Sequence, residues 1–485
     1  MFGLVKKTYA ALDDRVGISA VFVPIAKHPI PRGTGWWYVF GSATLVSFVV
    51  AVVTGIPLAG MFTTATGTAY ASLLWITHTA VLGFQIRSLH YWGGLAMLIL
   101  IGIHALRVFL FGSYKYPREV NWMVGVLLLF ITAGMLFTGQ ILRWDQNGVW
   151  TVVIVAAQAD RVPVIGHGIA NLLLGGDTFN ASTLSHLFAL HVFVLPGIAA
   201  AFIGFHLYLV VHNGISERPK AGRPVDPKTY KAWYADLLKR DGEPFWPFAA
   251  WRDAVVAMAL VVVIVILALL VGPPDLVGPP NVANVISLPR PDWYFLWYFA
   301  ALALFPPDAE EVLMIALPLV VIALMLLLPV YANKGERHIK RRPWSVAIAG
   351  LAVLIIVSLT FSGVEAPWSP RFEAKPLTST QVGTSAVASV KHGAALWSQK
   401  GCEQCHMIDG QGGVRGPDLS DVASRLTKTT ITIRILNGAA PNMPAFAGII
   451  APSDLSDLVA FLSTRKHPTG PGAPNPVLSA PVKQR

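Results

Sequence analysis

Seven stretches of the chain, at about 37–61, 91–111, 122–142, 189–211, 253–271, 311–330 and 344–361, are apolar over the length of a membrane-crossing helix. A helix rises ~1.5 Å per residue, so ~20 apolar residues cross the hydrocarbon layer. Lipid satisfies no backbone hydrogen bonds, and no period-2 alternation runs through these stretches, so helices and not a barrel are predicted. Only 13% of residues are charged, against about 25% in a soluble domain. The expected fold class is all-α: a polytopic transmembrane helical bundle of seven helices, with a small all-α domain after it.

The net charge of +11 concentrates in particular loops. Arg107, Lys115 and Arg118 lie in one turn, seven Lys or Arg in 218–240, and Lys334, Arg337, Lys340, Arg341 and Arg342 in another. The alternate loops hold few, chiefly Arg143, Arg161 and Arg290. This pattern reads as topology and not as a nucleic-acid patch: the N-terminus is expected in the cytoplasm and, after seven crossings, the C-terminus outside. No n-region with a short apolar core and small-residue cleavage site opens the chain, so no removable signal peptide is expected. Two apolar stretches too short to span, 150–158 and 295–305, fall in outward loops and are expected as surface helices.

The second helix contains His90 and His104, and the fourth His191 and His206, separated by 14 and 15 residues. Such intervals leave each pair within ~60° of one helix face and ~21 Å apart along the axis. Two facing helices of this kind present one histidine pair near each membrane surface. Neutral imidazole is an axial haem ligand, and ligation by two histidines leaves no open position, which suits electron transfer. The first and third blocks repeat the interval with Gly41 and Gly55, then Gly125 and Gly139, where a flat macrocycle can lie against backbone. Small-residue helix packing accounts for any one of these glycines singly. With the ionisable groups inside the blocks nearly all accounted for by haem spacing, an ion transporter is excluded.

These residues, with IRSLHYWGG, HALRVF, TGQILRWDQNGVW at 138–150, PVIG at 163–166, LHVFVLPG and PDWY at 291–294, resemble the cytochrome b subunit of quinol:cytochrome c oxidoreductases, the cytochrome bc complexes. The 15-residue interval, HNGIS after it and a three-helix second half are similar to the photosynthetic branch, here with both halves fused. The likeness covers about 35–362. It departs from that branch at Val39, where a cysteine would hold a third haem, so no such haem is expected. It departs also at Arg143, where the family has proline, and at His186, where it often has arginine.

Quinol oxidation releases two protons, so its site needs an acceptor with a route to water. The resemblance puts Asp292 in that role, in a motif where the family has glutamate; a turn-capping aspartate is the other reading. Tyr294 is a second donor or an interfacial aromatic. By resemblance, Val152 to Ala156 with Trp144 and Gly148 would form the opposite wall. For the inner site the candidate is His212, six residues beyond His206, with a solvated interfacial histidine as the alternative. Arg87 and Arg107 are candidate partners of haem propionates, or else snorkelling topology markers. His28 and the other loop histidines are assigned no role.

Cys402-Glu-Gln-Cys405-His406 is the pattern of covalent c-type haem attachment: two thiols for the vinyl groups and an adjacent proximal histidine. A zinc site would need a second ligand pair. With Gly416-Pro417-Asp418-Leu419 following, and Asn442-Met443-Pro444 further on, the segment is similar to a small class I cytochrome c domain, and Met443 is the distal ligand that resemblance implies, with His392 a weaker alternative.

The resulting division is 1–215, a four-helix di-haem domain; 216–362, a three-helix domain with PDWY; 363–390, a tether; 391–466, the cytochrome c domain; and 467–485, a Pro-rich disordered tail. The expected cofactors are two non-covalent b haems, one covalent c haem and quinone or quinol. The expected role is a subunit of a respiratory quinol:cytochrome c reductase in a prokaryotic cytoplasmic membrane, within a homodimeric complex. Having no cysteines for an iron–sulfur cluster, the chain implies a separate Rieske partner, with an external cytochrome c or terminal oxidase as acceptor. Aspartate in the PDWY motif leans toward menaquinol. The rival reading is a di-haem, quinone-reactive membrane anchor for another redox enzyme, distinguished by co-purification with a Rieske protein.

Overall fold

The structure is a computed structural model that describes residues 2–177, 179–280, 291–305, 307–365, 376–412, 416–439, 443, 445–447 and 450–466. Seven helices are long and apolar enough to cross a membrane: Phe40–Met61, Gly83–Leu110, Glu119–Ile141, Ala181–Asn213, Ala250–Leu270, Val312–Ala332 and Pro343–Glu365. They are the first to seventh spans below. The stretch 150–158 lies in the helix Gln146–Asp160, and 295–303 in the helix Trp293–Ala303, both too short to span. Large aliphatic side chains such as Val262, Leu269, Leu324 and Leu354 stand exposed on the spans, a surface that water would not tolerate at this extent. The chain is an integral membrane protein.

The chain divides into two compact units. The first contains the spans, with the first packed along the second and the third along the fourth. The fourth is not uniform. Its backbone passes through a π turn at Leu190–Val194 that contains His191. A π turn accommodates an extra residue without unwinding the helix, which absorbs the longer His191–His206 interval.

Several basic residues expected as solvated topology markers are instead buried. Arg337 pairs with Glu217, which also accepts from Tyr230 Oη at 2.8 Å. Arg118 donates to Gly214 O at 2.9 Å and Tyr230 Oη at 2.9 Å, and Lys115 Nζ to Ala332 O and Lys334 O, each at 2.6 Å. Residues from both halves of the sequence share this network, so it fastens the last three spans to the first four. Removing one partner of such a buried pair costs about 3–5 kcal/mol, because the other charge is left uncompensated. A short antiparallel ladder, Pro29–Pro31 with Gly242–Pro244, adds a further tie between segments distant in sequence.

The second unit holds Trp144–His186, Val277–Pro291 and Glu365–Arg485. Its C-terminal part is a small helical domain whose first and last helices, Ala388–Gln399 and Pro452–Leu462, pack together around Trp397, Ile408, Leu458 and Phe461. Leu377, Val382 and Ala386 pack on this core, and Arg465 donates to Gln381 O at 2.7 Å. Residues 377–386, assigned from sequence to a tether, therefore belong to the domain: their spaced apolar side chains find its surface. Residues 366–375 and the tail 467–485 lie outside the described residues.

Candidate functional site

His90 and His191 face each other across the bundle, ring centroids 6.1 Å apart and planes at 80°. An iron bonded to one nitrogen of each ring at about 2 Å fits between rings so spaced. The other nitrogens are held. Nδ1 of His90 donates to Ala51 O at 2.9 Å, and Nδ1 of His191 lies 3.0 Å from Thr138 Oγ1. That hydroxyl spends its own hydrogen on Gly134 O at 2.9 Å and so accepts from the imidazole. Both bonds put the proton on Nδ1 and leave the Nε2 lone pair for a metal.

The four glycines back the histidines themselves. A Cβ at Gly55 would stand 3.0 Å from His90 Cε1, at Gly139 2.8 Å from His191 Cε1, at Gly41 3.1 Å from His104 Cε1, and at Gly125 3.5 Å from His206 Cε1. The packed span pairs bring each glycine against the imidazole of its own level. The levels thus hold His90 with His191, and His104 with His206.

The second level opens into a cavity of about 460 Å³, lined by His104, His206 and residues of the first three spans. Arg107, one turn beyond His104, lines it and lies 3.7 Å over the Tyr38 ring. Its Nε and Nη2 are buried without a hydrogen-bond partner among the described residues. Unmatched buried donors of this kind fit an anionic group such as a haem propionate. Arg87 differs: its terminal nitrogens donate to Thr77 Oγ1 at 3.0 Å and Pro274 O at 2.8 Å.

His212 is not brought to this cavity. It is exposed and stacks on Tyr208 with ring centroids 5.7 Å apart, because the sixth position after His206 falls on the outward side of the fourth span. Sequence reasoning missed other polar groups that do line the cavity, His28, Ser42 and Asp253, with Ser42 Oγ 2.7 Å from Asp253 Oδ1. The signal for Asp253 was available, as the one acidic residue in the fifth span. None existed for His28.

Near the other end of the spans, Asp292 precedes the helix Trp293–Ala303 but its side chain does not cap it. Oδ1 accepts from Arg143 Nη2 at 2.8 Å, Oδ2 from Tyr294 Oη at 3.0 Å, and its backbone N–H donates to Gln140 Oε1 at 3.1 Å. Arg143, where the sequence departs from the family pattern, is thus the partner of the acid. Burial, followed by the Asp292 charge, pushes the Tyr294 hydroxyl above its ordinary value, so it stays a donor.

In the C-terminal domain, His406 Nδ1 donates to Pro417 O at 2.8 Å, again freeing Nε2, and burial holds its pKa below the ordinary value. A Cβ at Gly416 would reach 2.5 Å from that ring, so only glycine fits. Burial pushes the Cys402 thiol up to about 12, which makes an inert thiol and a poor free nucleophile. Met443 is fixed by a two-way backbone bridge to Ala439 and packs on the same core as Cys402. Trp397 Nε1 and Glu403 Oε1 are buried without partners among the described residues, which fits a polar group entering this core. His392 instead pairs with Asp457 at 2.8 Å on the surface, which removes it as a ligand candidate. Asn442 and Pro444 lie outside the described residues.

Paired, glycine-backed histidines in a membrane bundle, together with a domain that holds a thiol pair and an adjacent histidine, define a membrane-bound cytochrome of electron transport. Residues 95–279 match the family Cytochrome b(N-terminal)/b6/petB, 282–381 the family Cytochrome b(C-terminal)/b6/petD, and 388–462 the family Cytochrome C oxidase, cbb3-type, subunit III. Cytochrome b6 of Heliobacterium mobile is 38% identical over 208 residues, 42% of this chain and 98% of that protein. Cytochrome b of Cereibacter sphaeroides is 33% identical over 304 residues, 61% of this chain and 66% of that one, so the chain spans just under two thirds of that relative. A solved structure, "Hyperthermophilic respiratory Complex III", covers 74% of this chain and 91% of its own with a TM-score of 0.63; at 23% identity the likeness is one of fold. The chain belongs to the cytochrome b family, with a cytochrome c domain fused after it.

Proposed function

We propose that the chain is the cytochrome b/c subunit of a respiratory quinol:cytochrome c reductase. His90 with His191 and His104 with His206 hold two b haems, and Cys402, Cys405, His406 and Met443 hold a c haem. Bound haem supplies one-electron chemistry at an iron with no open position. The observation that carries this reading is the 6.1 Å separation of the His90 and His191 rings, each ring oriented through Nδ1.

Charge asymmetry of the loops supports an orientation with the His90 level outside and the His104 level inside. Quinol is oxidised on the outer side, where Asp292 accepts a proton and Tyr294 orients its carboxylate. One electron leaves to a separate Rieske iron–sulfur protein and on to the c domain, whose attachment chemistry suits the outer, oxidising compartment. The other crosses to a quinone in the inner cavity, where Arg107 neutralises propionate charge and Ser42 and Asp253 offer polar contacts. Menaquinol as substrate, a homodimeric complex and an external cytochrome c or oxidase as acceptor complete the proposal.

Reduced-minus-oxidised spectra of the purified chain test it. Two b haems to one c haem, with the b bands reduced by added quinol, is the expected result. A single b haem, or no reduction by quinol, refutes it.

A further inference from the structure

One histidine lining the inner cavity has a geometry that the rest of the site leaves unused. His28 is part-exposed, yet its Nε2 is buried and has no hydrogen-bond partner among the described residues. The residue lines the cavity together with the apolar Ile25, Ile30 and Phe245. Its backbone is clamped on both sides: His28 N donates to Ile25 O at 3.1 Å, and His28 O accepts from Phe245 N at 2.9 Å. The ladder of Pro29–Pro31 with Gly242–Pro244 begins at the next residue. The residue is therefore part-exposed while its Nε2 is buried in the wall of the cavity.

We propose that His28 is the catalytic proton donor of the inner site, its Nε2 contacting a carbonyl oxygen of bound quinone. This rests on the quinone-reducing role proposed above. Reduction of one quinone to quinol consumes two protons and two electrons, one electron delivered through the bundle from each of two quinols oxidised on the outer side. One proton passes from His28 Nε2 to the near oxygen, and His28 regains it from water at its exposed edge. The second reaches the far oxygen by way of the Asp253 carboxyl.

The charged and titratable groups lining the cavity around His28 are Asp253 from the fifth span, Arg107 and His104 from the second, His206 from the fourth, and Tyr38, Tyr114 and Arg118 from the connecting segments. Burial lowers the His28 pKa from its ordinary value, so the ring gives up a proton readily once negative charge develops on the oxygen. His212, the histidine that position along the fourth span suggested, stacks on Tyr208 at the exposed surface.

The test uses the intact complex carrying H28F, H28Q or H212Q. Two measurements are made: reoxidation of pre-reduced b haem by a short-chain 1,4-naphthoquinone, and equilibrium binding of the same quinone. H28F is expected to slow reoxidation about 10²-fold or more and to weaken binding about tenfold, with b-haem content and spectra unchanged. H28Q keeps an N–H donor, so it binds nearly as wild type but reoxidises slowly. H212Q behaves as wild type in both. Wild-type rates in H28F, or loss of b haem from H28Q, overturn the assignment of His28. Failure of the wild-type complex itself to be reoxidised by quinone overturns the quinone-reducing role beneath it.

Discussion

Gly139 and Gly125 lie on the same helix, fourteen residues apart, and each backs a histidine of the fourth span. Alanine at either position gains the same helix propensity, about 1 kcal/mol, so any difference between the two variants comes from packing. At Gly125 the new methyl would lie 3.5 Å from His206 Cε1, an ordinary contact. At Gly139 it would lie 2.8 Å from His191 Cε1, inside the closest approach of carbon atoms. The His191 ring has no room to retreat, since Thr138 holds Nδ1 at 3.0 Å and the His90 ring faces it at 6.1 Å. Overpacking of this kind costs about 1–3 kcal/mol. If that cost falls on ligation, G139A weakens haem at the His90–His191 level by about 5- to 150-fold, at 1.4 kcal/mol per decade, while G125A stays near wild type. The assay is b-haem content and redox titration of the purified variants, which separate the two b components. Equal haem loss in both variants, or full content and unchanged potentials in G139A, would refute the glycine–imidazole reasoning.

Two further outcomes are expected. D292N should keep every haem and slow quinol oxidation on the order of 10²-fold, because the amide fills the same space beside Arg143 and Tyr294 but accepts no proton; steady-state turnover with quinol measures this, and unchanged turnover would return Asp292 to a structural role. Ending the chain after Glu365 should leave the b haems reducible by quinol and abolish reduction of external cytochrome c; full-rate reduction would show that another subunit carries the exit haem.

The local features were legible because they are periodic. Runs of apolar residues set the seven spans, and the intervals His90 to His104 and Gly41 to Gly55 set which residues share a face, since both follow from the pitch of one helix. The covalent haem motif was legible for a similar reason: its ligands are neighbours in the chain. Pairing of the histidine levels also followed, once the second and fourth spans were taken to face each other.

What the tertiary structure alone decided depends on contacts between residues far apart in sequence. The glycines showed their spacing but not what they touch; only the packing of the first span on the second and the third on the fourth puts a ligand ring there. Arg143 meets Asp292 across 149 residues, so a departure from the family pattern becomes an ion pair only in the folded chain. The buried Arg337, Arg118 and Lys115 looked like surface charges, because composition reports charge and not the carbonyls and phenols that fold around it. The π turn at His191 and the shared cavity of His28 and Asp253 were likewise invisible, since a helix register defect and a side chain delivered by a loop remote in sequence leave no period in the sequence to read.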